Sequence, residues 1–216
     1  MINEIIGTKV ILRPQREEDA EYFAHWYNDP EVMFECGFYE PTTLEEELKR
    51  IHSPGSDSEW YTVTDLDGNI VGETGLLRMW PHWRCADMSI IIPNPAHQGK
   101  GYGGEATHLM LDRAFGYHNM NRVAIGVVGL NTPALAFYDK IGFKKEGIQE
   151  QGYYHNGAFS DFVMMRILRS EYYSKQEIIE TVQMDTCGKF DDNEKGLPSP
   201  DFTGFSQKGP PPCLTF

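Results

Sequence analysis

The chain has 216 residues, with 19 Lys or Arg side chains, 32 Asp or Glu side chains and a formal net charge of −13. So large a negative charge argues against a nucleic-acid partner, because phosphates would be repelled over most of the surface. No apolar run approaches the roughly 20 residues that span a bilayer, and the N-terminus lacks the basic start and apolar centre of a signal peptide. We therefore expect a cytoplasmic protein with no membrane partner.

The cysteines give no sign of a disulfide framework or a metal site. Cys36, Cys85, Cys187 and Cys213 stand far apart, without a C-x-x-C pair or a histidine at metal-ligand spacing. We therefore expect reduced, partly buried thiols and no bound metal.

The composition changes near residue 183. Residues 188–216 contain five prolines and four glycines and show no sustained periodicity, which favours a tail over an additional domain. The sequence thus predicts a folded domain over residues 1–182 and a flexible, Pro/Gly-rich tail over residues 183–216.

The first half of the chain predicts a strand, two helices and three more strands. Residues 8–14 alternate and are rich in β-formers, which predicts a strand. Residues 16–29 have helical apolar spacing, and Pro30 is predicted to end this helix. A second helix is predicted to begin at Thr42 or Thr43, which would cap an acidic first turn. Three strands are then predicted, at about residues 58–65, 69–78 and 84–92.

The second half predicts a helix, a strand, a helix and two strands. Apolar side chains at three- and four-residue steps predict a helix over residues 103–118. The apolar run 122–130 predicts a strand covered on both faces, and 132–142 predicts a helix with proline in its first turn. Two further strands are predicted, at about residues 143–151 and 159–168. The order β-α-α-β-β-β-α-β-α-β-β indicates an α/β fold, with a mixed sheet between helices.

The stretch Gln98–Gly104, QGKGYGG, places four glycines between a strand and a helix. Backbone N–H groups at such a helix start bind anions, most often phosphate. A Walker A loop is excluded, because Lys100 is followed by glycine rather than Ser or Thr. Gly99, Gly101 and Gly104 also match the dinucleotide string G-x-G-x-x-G, but no acidic residue follows at the distance that fingerprint requires.

Two segments resemble the GNAT superfamily of acetyl-CoA-dependent N-acetyltransferases. Gln98-x-x-Gly101-x-Gly103 matches its pyrophosphate-binding signature Q/R-x-x-G-x-G/A. Residues 131–143 match its N-x-x-A-x-x-x-Y-x-x-x-G-F segment, one helix and one strand further on. The resemblance covers about residues 8–172 and is strongest to the ribosomal-protein alanine and spermidine N-acetyltransferases.

The resemblance implies a fold, a cosubstrate and a reaction. The fold would be a mostly antiparallel central sheet of about seven strands, flanked by helices on both faces. A primary amine would attack bound acetyl-CoA directly, without an acyl-enzyme. The absence of a nucleophile motif such as G-x-S-x-G agrees with this reaction.

The resemblance also implies roles for single residues. Main-chain amides would hold the CoA pyrophosphate at Gln98, Gly99, Lys100, Gly101, Tyr102 and Gly103. The backbone of Ile90, Ile91 and Ile92 would bind the pantetheine arm and polarise the thioester carbonyl. Their side chains are expected in the hydrophobic core whatever the function. Asn131 would form a hydrogen bond with the pantetheine arm, or would only cap its own helix. Tyr138 would protonate the departing thiolate or only pack in the core.

The general base is less well specified by the sequence. An alkyl ammonium with a pKa near 10.4 loses its proton at pH 7 at a cost of roughly 4–5 kcal/mol, so a nearby carboxylate or water wire must accept it. Asp87, on the strand before the isoleucines, is the first candidate and Glu73 is the second. Both also suit ordinary polar strand positions.

The acceptor stays open between three classes: a protein N-terminal amine, a cationic small molecule, and a free amino acid or amino sugar. Polyamine acetyltransferases place glutamates on the third strand, where Arg78 stands in this chain, whereas Glu35 and Glu40 are suited to line an amine pocket. A CoA-binding sensor or assembly module without turnover is the alternative function. A homodimer through the aromatic region 153–162 is also predicted.

Overall fold

The computed structural model describes residues 4–175. Their strands are β1 (Ile5–Ile6), β2 (Val10–Pro14), β3 (Glu59–Asp65), β4 (Ile70–Trp80), β5 (Cys85–Ile91), β6 (Arg122–Val128), β7 (Lys144–His155) and β8 (Ala158–Leu168). Their helices are α1 (Asp19–Trp26), α2 (Pro30–Cys36), α3 (Leu44–His52), α4 (Tyr102–Asp112), α5 (Thr132–Ile141) and α6 (169–175). The predicted tail and the predicted domain end at residue 182 lie outside the described residues.

The described strands form one sheet in the order β1-β2-β3-β4-β5-β6-β8-β7. All neighbours are antiparallel except β5 and β6, which run parallel over residues 85–87 and 122–124 only. Beyond that point β5 pairs with β4 alone and β6 with β8 alone. The sheet therefore opens into a wedge between residues 88–91 and residues 125–128.

Helices cover both faces of the sheet. The larger core packs α4 and α5 against the sheet, and a smaller one packs α1 and α2 against the other face. The smaller core contains Phe23, Tyr27, Val32 and Ile91. Along β5, Ala86 and Met88 point into the larger core whereas Ile91 points into the smaller one, as strand alternation requires. The predicted mixed α/β fold is confirmed.

The cap predicted for the second helix is present at Thr43. Its Oγ1 accepts a hydrogen bond from the Glu46 N–H at 3.2 Å, and the Glu46 carboxylate accepts one from the Thr43 N–H at 2.8 Å. This reciprocal pair satisfies two backbone donors at the start of α3.

The predicted end of the first helix is only half right. The helix α1 does end before Pro30, but Pro30 itself begins a second helix, α2. Asp29 caps it, because its Oδ1 accepts from the N–H groups of Glu31 at 2.9 Å and Val32 at 3.3 Å. Proline is favoured at the first helical position, where no N–H is needed. The additional helix carries Cys36 to the site described below.

Three other elements, β1, α4 and β7, differ from the prediction by a few residues. The strand β1, two residues long, shows no periodicity and was not predicted. The helix α4 is shorter than predicted and continues as a π-helical turn, Arg113–Tyr117. The strand β7 extends four residues beyond its predicted end, to His155.

The buried carboxylate of Glu59 joins β3 to the π-helical turn. It accepts hydrogen bonds from Arg113 and from the Tyr61 hydroxyl at 2.8 Å, and lies 2.7 Å from the His118 Nε2. Burial alone would raise the pKa of Glu59, but the bonds from His118, Arg113 and Tyr61 lower it from 4.5 to about 2. The charged carboxylate therefore stabilises the folded chain.

The substitution Glu59→Gln should lower the free energy of unfolding at pH 7 by about 3 kcal/mol. The reason is that glutamine lacks the charged carboxylate whose lowered pKa in the folded state stabilises that state. Since the folded pKa lies below the unfolded one, this contribution is complete above about pH 4.5 and is lost as the pH falls towards 2. Urea unfolding of both proteins should show the stability gap closing over this range. A gap independent of pH would contradict the assignment.

Candidate active site

The free edge of β5 at the wedge presents backbone rather than side chains. Ile91 belongs to the smaller core, whereas Ile90 and Ile92 pack against the larger one. The strand β4 approaches this end of β5 closely, since a Cβ at Gly72 would lie 2.0 Å from the Ile91 carbonyl oxygen. The predicted core role of the three isoleucines is thus observed, and their peptide groups lie along the wedge.

The glycine turn follows β5 after a short 3-10 helix, Pro95–His97, and leads into α4. Gly99 and Gly101 have φ values of +71° and +88°, a left-handed conformation that side chains disfavour. The Gln98 side chain fixes the turn by donating from Nε2 to the Ile92 carbonyl at 3.1 Å. No described side chain caps α4, and a Cβ at Gly99 or Gly104 would have nothing described within 4 Å. The first N–H groups of α4 are therefore accessible to an anion.

Tyr138 lies on α5 with only 6% of its surface exposed. Its ring packs edge-on against Phe143, with centroids 5.5 Å apart. Among the described residues, none forms a hydrogen bond with its hydroxyl. Burial, with a smaller contribution from the neighbouring Cys36, raises the pKa of Tyr138 well above its usual 10. The phenol is therefore protonated at neutral pH and available as a donor.

Cys36, at the end of α2, is the meeting point of the site. Burial raises the pKa of its thiol to about 12, and the charges of Glu35 and Glu73 add to this shift. Cys36 in turn raises the pKa of Tyr138 and of Tyr153, after burial in each case. The thiol is neutral at physiological pH and poorly suited to act as a nucleophile. Its importance is that Glu73, Tyr138 and Tyr153 all have Cys36 as a neighbour.

The buried carboxylate of Glu73 lies opposite Ile91 in the register of β4 and β5. It accepts a hydrogen bond from Gln15 Nε2 at 2.7 Å and lies 3.0 Å from Arg50 Nη1. Arg50 also donates to Glu47 at 2.9 Å and packs over the rings of the smaller core. Glu73 is therefore both at the level of the wedge and near Cys36.

Asp87 lies at the closed end of the wedge. It is paired with Leu77 and Ala124, four residues or roughly 13 Å along the strand from Ile91. Its Oδ2 accepts a hydrogen bond from Arg78 Nε at 2.6 Å. Glu73 therefore lies level with Ile91 at the open part of the wedge, whereas Asp87 lies at its closed end.

Asn131 caps α5 and joins it to α2. Its Oδ1 accepts from the Ala134 N–H at 3.0 Å, and its Nδ2 donates to the Glu35 carbonyl at 3.1 Å. The capping role weighed from the sequence is therefore present. One Nδ2 proton remains for a ligand, and the predicted cofactor contact stays a prediction.

A groove of about 520 Å³ lies between the end of α2 and β7. It is lined by Cys36, Gly37, Tyr39, Gln149, Gly152, Tyr153, Tyr154 and Phe162. A bulge in β7 shapes one wall, since its register with β8 shifts between Gln149 and Tyr153. This groove was not predicted, although the interrupted alternation at 150–152 was a signal for the bulge.

The groove is suited to a cation. Segments 30–43 and 147–165, which supply its lining, contain no Lys or Arg. Carboxylates adjoin the lining residues in sequence at Glu35, Glu40, Glu150 and Asp161. Aromatic faces also attract ammonium groups. Neither Glu35 nor Glu40, predicted to line an amine pocket, belongs to the lining itself.

Residues 4–175 contain no group of three His, Cys, Asp or Glu side chains arranged to hold a metal ion. Within the same residues, no helix is long and apolar enough to cross a membrane.

Residues 9–144 match a family model described as an acetyltransferase (GNAT) domain. The chain is 29% identical over 175 residues to the spermidine N(1)-acetyltransferase of Vibrio cholerae, covering 80% of this chain and 100% of that protein. It is 36% identical over 181 residues to the probable N-acetyltransferase YjcK of Bacillus subtilis, covering 76% and 97%. The crystal structure of the Vibrio cholerae enzyme with CoA and spermine superposes with a TM-score of 0.71 and 28% identity, covering 77% and 99%.

Proposed function

Since the chain belongs to the GNAT acetyltransferase family and uses acetyl-CoA as its acetyl donor, we propose that its acceptor is a small cationic amine of the polyamine type. The observation that carries this proposal is the aromatic groove beside Cys36, whose lining segments hold carboxylates and no Lys or Arg. The names of the Vibrio cholerae relative and of its spermine complex support the same acceptor class.

The proposed CoA site follows the wedge and the glycine turn. The main-chain amides of residues 98–103 bind the pyrophosphate at the start of α4. The pantetheine arm enters the wedge along the backbone of Ile90, Ile91 and Ile92, with Asn131 Nδ2 on the α5 side. One of the isoleucine amides polarises the thioester carbonyl and stabilises the developing oxyanion.

The proposed reaction forms a C–N bond and breaks the thioester C–S bond. Glu73 accepts a proton from the bound ammonium, directly or through water, and the free amine attacks the polarised carbonyl. As the tetrahedral intermediate collapses, Tyr138 donates its proton to the departing thiolate. The second proton that the amine nitrogen loses passes through water to the Tyr138 phenolate, and Glu73 releases its proton to solvent. Arg50 balances the Glu73 charge before the amine arrives.

Glu73 rather than Asp87 is the proposed base because of its position. Glu73 contributes to the raised pKa of Cys36, a residue that lines the groove. Asp87 is held by Arg78 at the closed end of the wedge. This reverses the order in which the sequence ranked the two carboxylates.

Acetyl-CoA consumption across an amine panel, read as free thiol, tests the acceptor class. We expect kcat/KM for spermidine and spermine to exceed that for alanine-initiated peptides at least tenfold, and to fall as salt screens the acidic groove. Preferential turnover of the peptides would instead identify a protein N-terminal amine as the acceptor. Tight CoA binding without turnover of any amine would favour the sensor or assembly module.

The substitution Tyr138→Phe should lower kcat by about 10²-fold, because it removes the proton donor and keeps the buried ring. CoA affinity and thermal stability should stay close to those of the wild type, as measured by calorimetry and thermal unfolding. Unchanged turnover would remove Tyr138 from the mechanism.

Glu73→Gln and Asp87→Asn form a matched pair of isosteric changes. Glu73→Gln should lower kcat/KM at least tenfold for an alkyl amine at neutral pH, and much less for a primary amine that is already unprotonated there. Asp87→Asn should have little effect on either substrate. Equal losses with both amines would indicate a structural role for Glu73, and a selective loss in Asp87→Asn would restore Asp87 as the base.

A homodimer stays a prediction. The hairpin of β7 and β8 forms one end of the sheet, and Tyr154 and Phe159 at its tip are exposed, with ring centroids 4.9 Å apart. An exposed aromatic pair at the tip of a hairpin that ends the sheet is suited to an interface with a second copy. The cytoplasmic location also stays a prediction.

A further inference from the structure

The turn between β1 and β2 is fixed to the first turn of α4 by Glu105. The Glu105 carboxylate accepts hydrogen bonds from the N–H groups of Thr8 at 2.8 Å, Lys9 at 2.6 Å and Val10 at 2.8 Å. Burial alone would raise the pKa of Glu105, but the hydrogen bonds from Thr8, Lys9 and Val10 lower it. This contact crosses 95 to 97 residues of sequence and sets where the Lys9 side chain begins.

The Lys9 ammonium lies against the glycine turn. Its Nζ is 3.4 Å from the Lys100 carbonyl oxygen, and a Cβ at Gly101 would lie 2.8 Å from it. Gly101 immediately precedes α4, whose first N–H groups lack a side-chain cap. Lys9 therefore places a full positive charge next to the positive end of the α4 dipole.

Two like charges in one place need an anion or bulk solvent to offset them. The hydrogen bond to a neutral carbonyl does not neutralise Lys9, and no salt bridge within residues 4–175 involves it. The nearby Glu105 charge is already engaged by backbone donors. A diphosphate bound at the turn could therefore pair with the Lys9 ammonium without displacing a carboxylate of the described residues.

We infer that Lys9 is a cosubstrate-binding residue that contacts the diphosphate of CoA, exchanging its bond to the Lys100 carbonyl for one to a phosphate oxygen. This inference rests on the proposed placement of the pyrophosphate at the glycine turn. Lys9 takes no part in the chemical step. Glu105 acts through Lys9 as a positioning residue.

Binding of CoA, 3′-dephospho-CoA and pantetheine to Lys9→Met, measured by calorimetry, tests the inference. Pantetheine lacks the diphosphate, and 3′-dephospho-CoA lacks only the ribose phosphate. We expect about five- to twentyfold weaker binding of CoA and of 3′-dephospho-CoA, and unchanged binding of pantetheine. Lys9→Arg should restore most of the affinity.

Lys49→Met is the matched control, because Lys49 is an exposed lysine on α3, and Glu47 and Arg50 of that helix pack towards the sheet face opposite α4. It should leave all three affinities unchanged, and thermal unfolding should show both variants folded. A loss confined to CoA would place Lys9 on the 3′-phosphate and overturn the assigned contact, and no loss, or an equal loss for all three probes, would overturn it as well. If the wild type binds CoA no better than pantetheine, the proposed placement of the pyrophosphate fails instead.

Discussion

The candidate site depends on the incomplete pairing of β5 with β6. Two parallel strands need a crossover connection, and α4 supplies it here. Because the crossover must leave β5 at the edge where the strands separate, the start of α4 lies beside the wedge. The open backbone of β5 and the uncapped N–H groups of α4 are thus two results of one connection, which suits a ligand with a long arm and an anionic end.

The acceptor side depends on a different constraint, the position of α2. Asp29 and Pro30 begin this helix soon after α1 ends, and Asn131 holds the Glu35 carbonyl near its end. Cys36, at the end of this helix, lines the groove and lies within electrostatic range of the buried Glu73. In the proposed function, the groove delivers an amine to the same place where the wedge delivers the thioester.

Local sequence signals predicted the local parts of this site. The glycine turn and the cap at Asn131 depend on neighbours within a few residues, so residue type and spacing indicated them. Tyr138 was indicated by the resemblance to the superfamily's N-x-x-A-x-x-x-Y segment. The hydrogen bond from Gln15 to Glu73 joins residues 58 apart, and that from Lys9 to Glu105 joins residues 96 apart. Such pairings depend on strand order and register, which no periodicity encodes. For the same reason Asp87 ranked above Glu73, since closeness along one strand was the only distance that the sequence offered.

The net charge of −13 excludes less than it first suggests. At physiological ionic strength charges beyond about 8 Å are largely screened, so the field at a site is set by its near neighbours. At the glycine turn those neighbours are Lys9, Lys100 and the start of α4, with the Glu105 charge engaged by backbone donors. The groove segments carry carboxylates and no Lys or Arg. A nucleic acid would have to cover much of the acidic surface and would be repelled. A single CoA needs only one basic end, and a cationic amine needs only one acidic groove, so one acidic protein can hold both beside the same wedge.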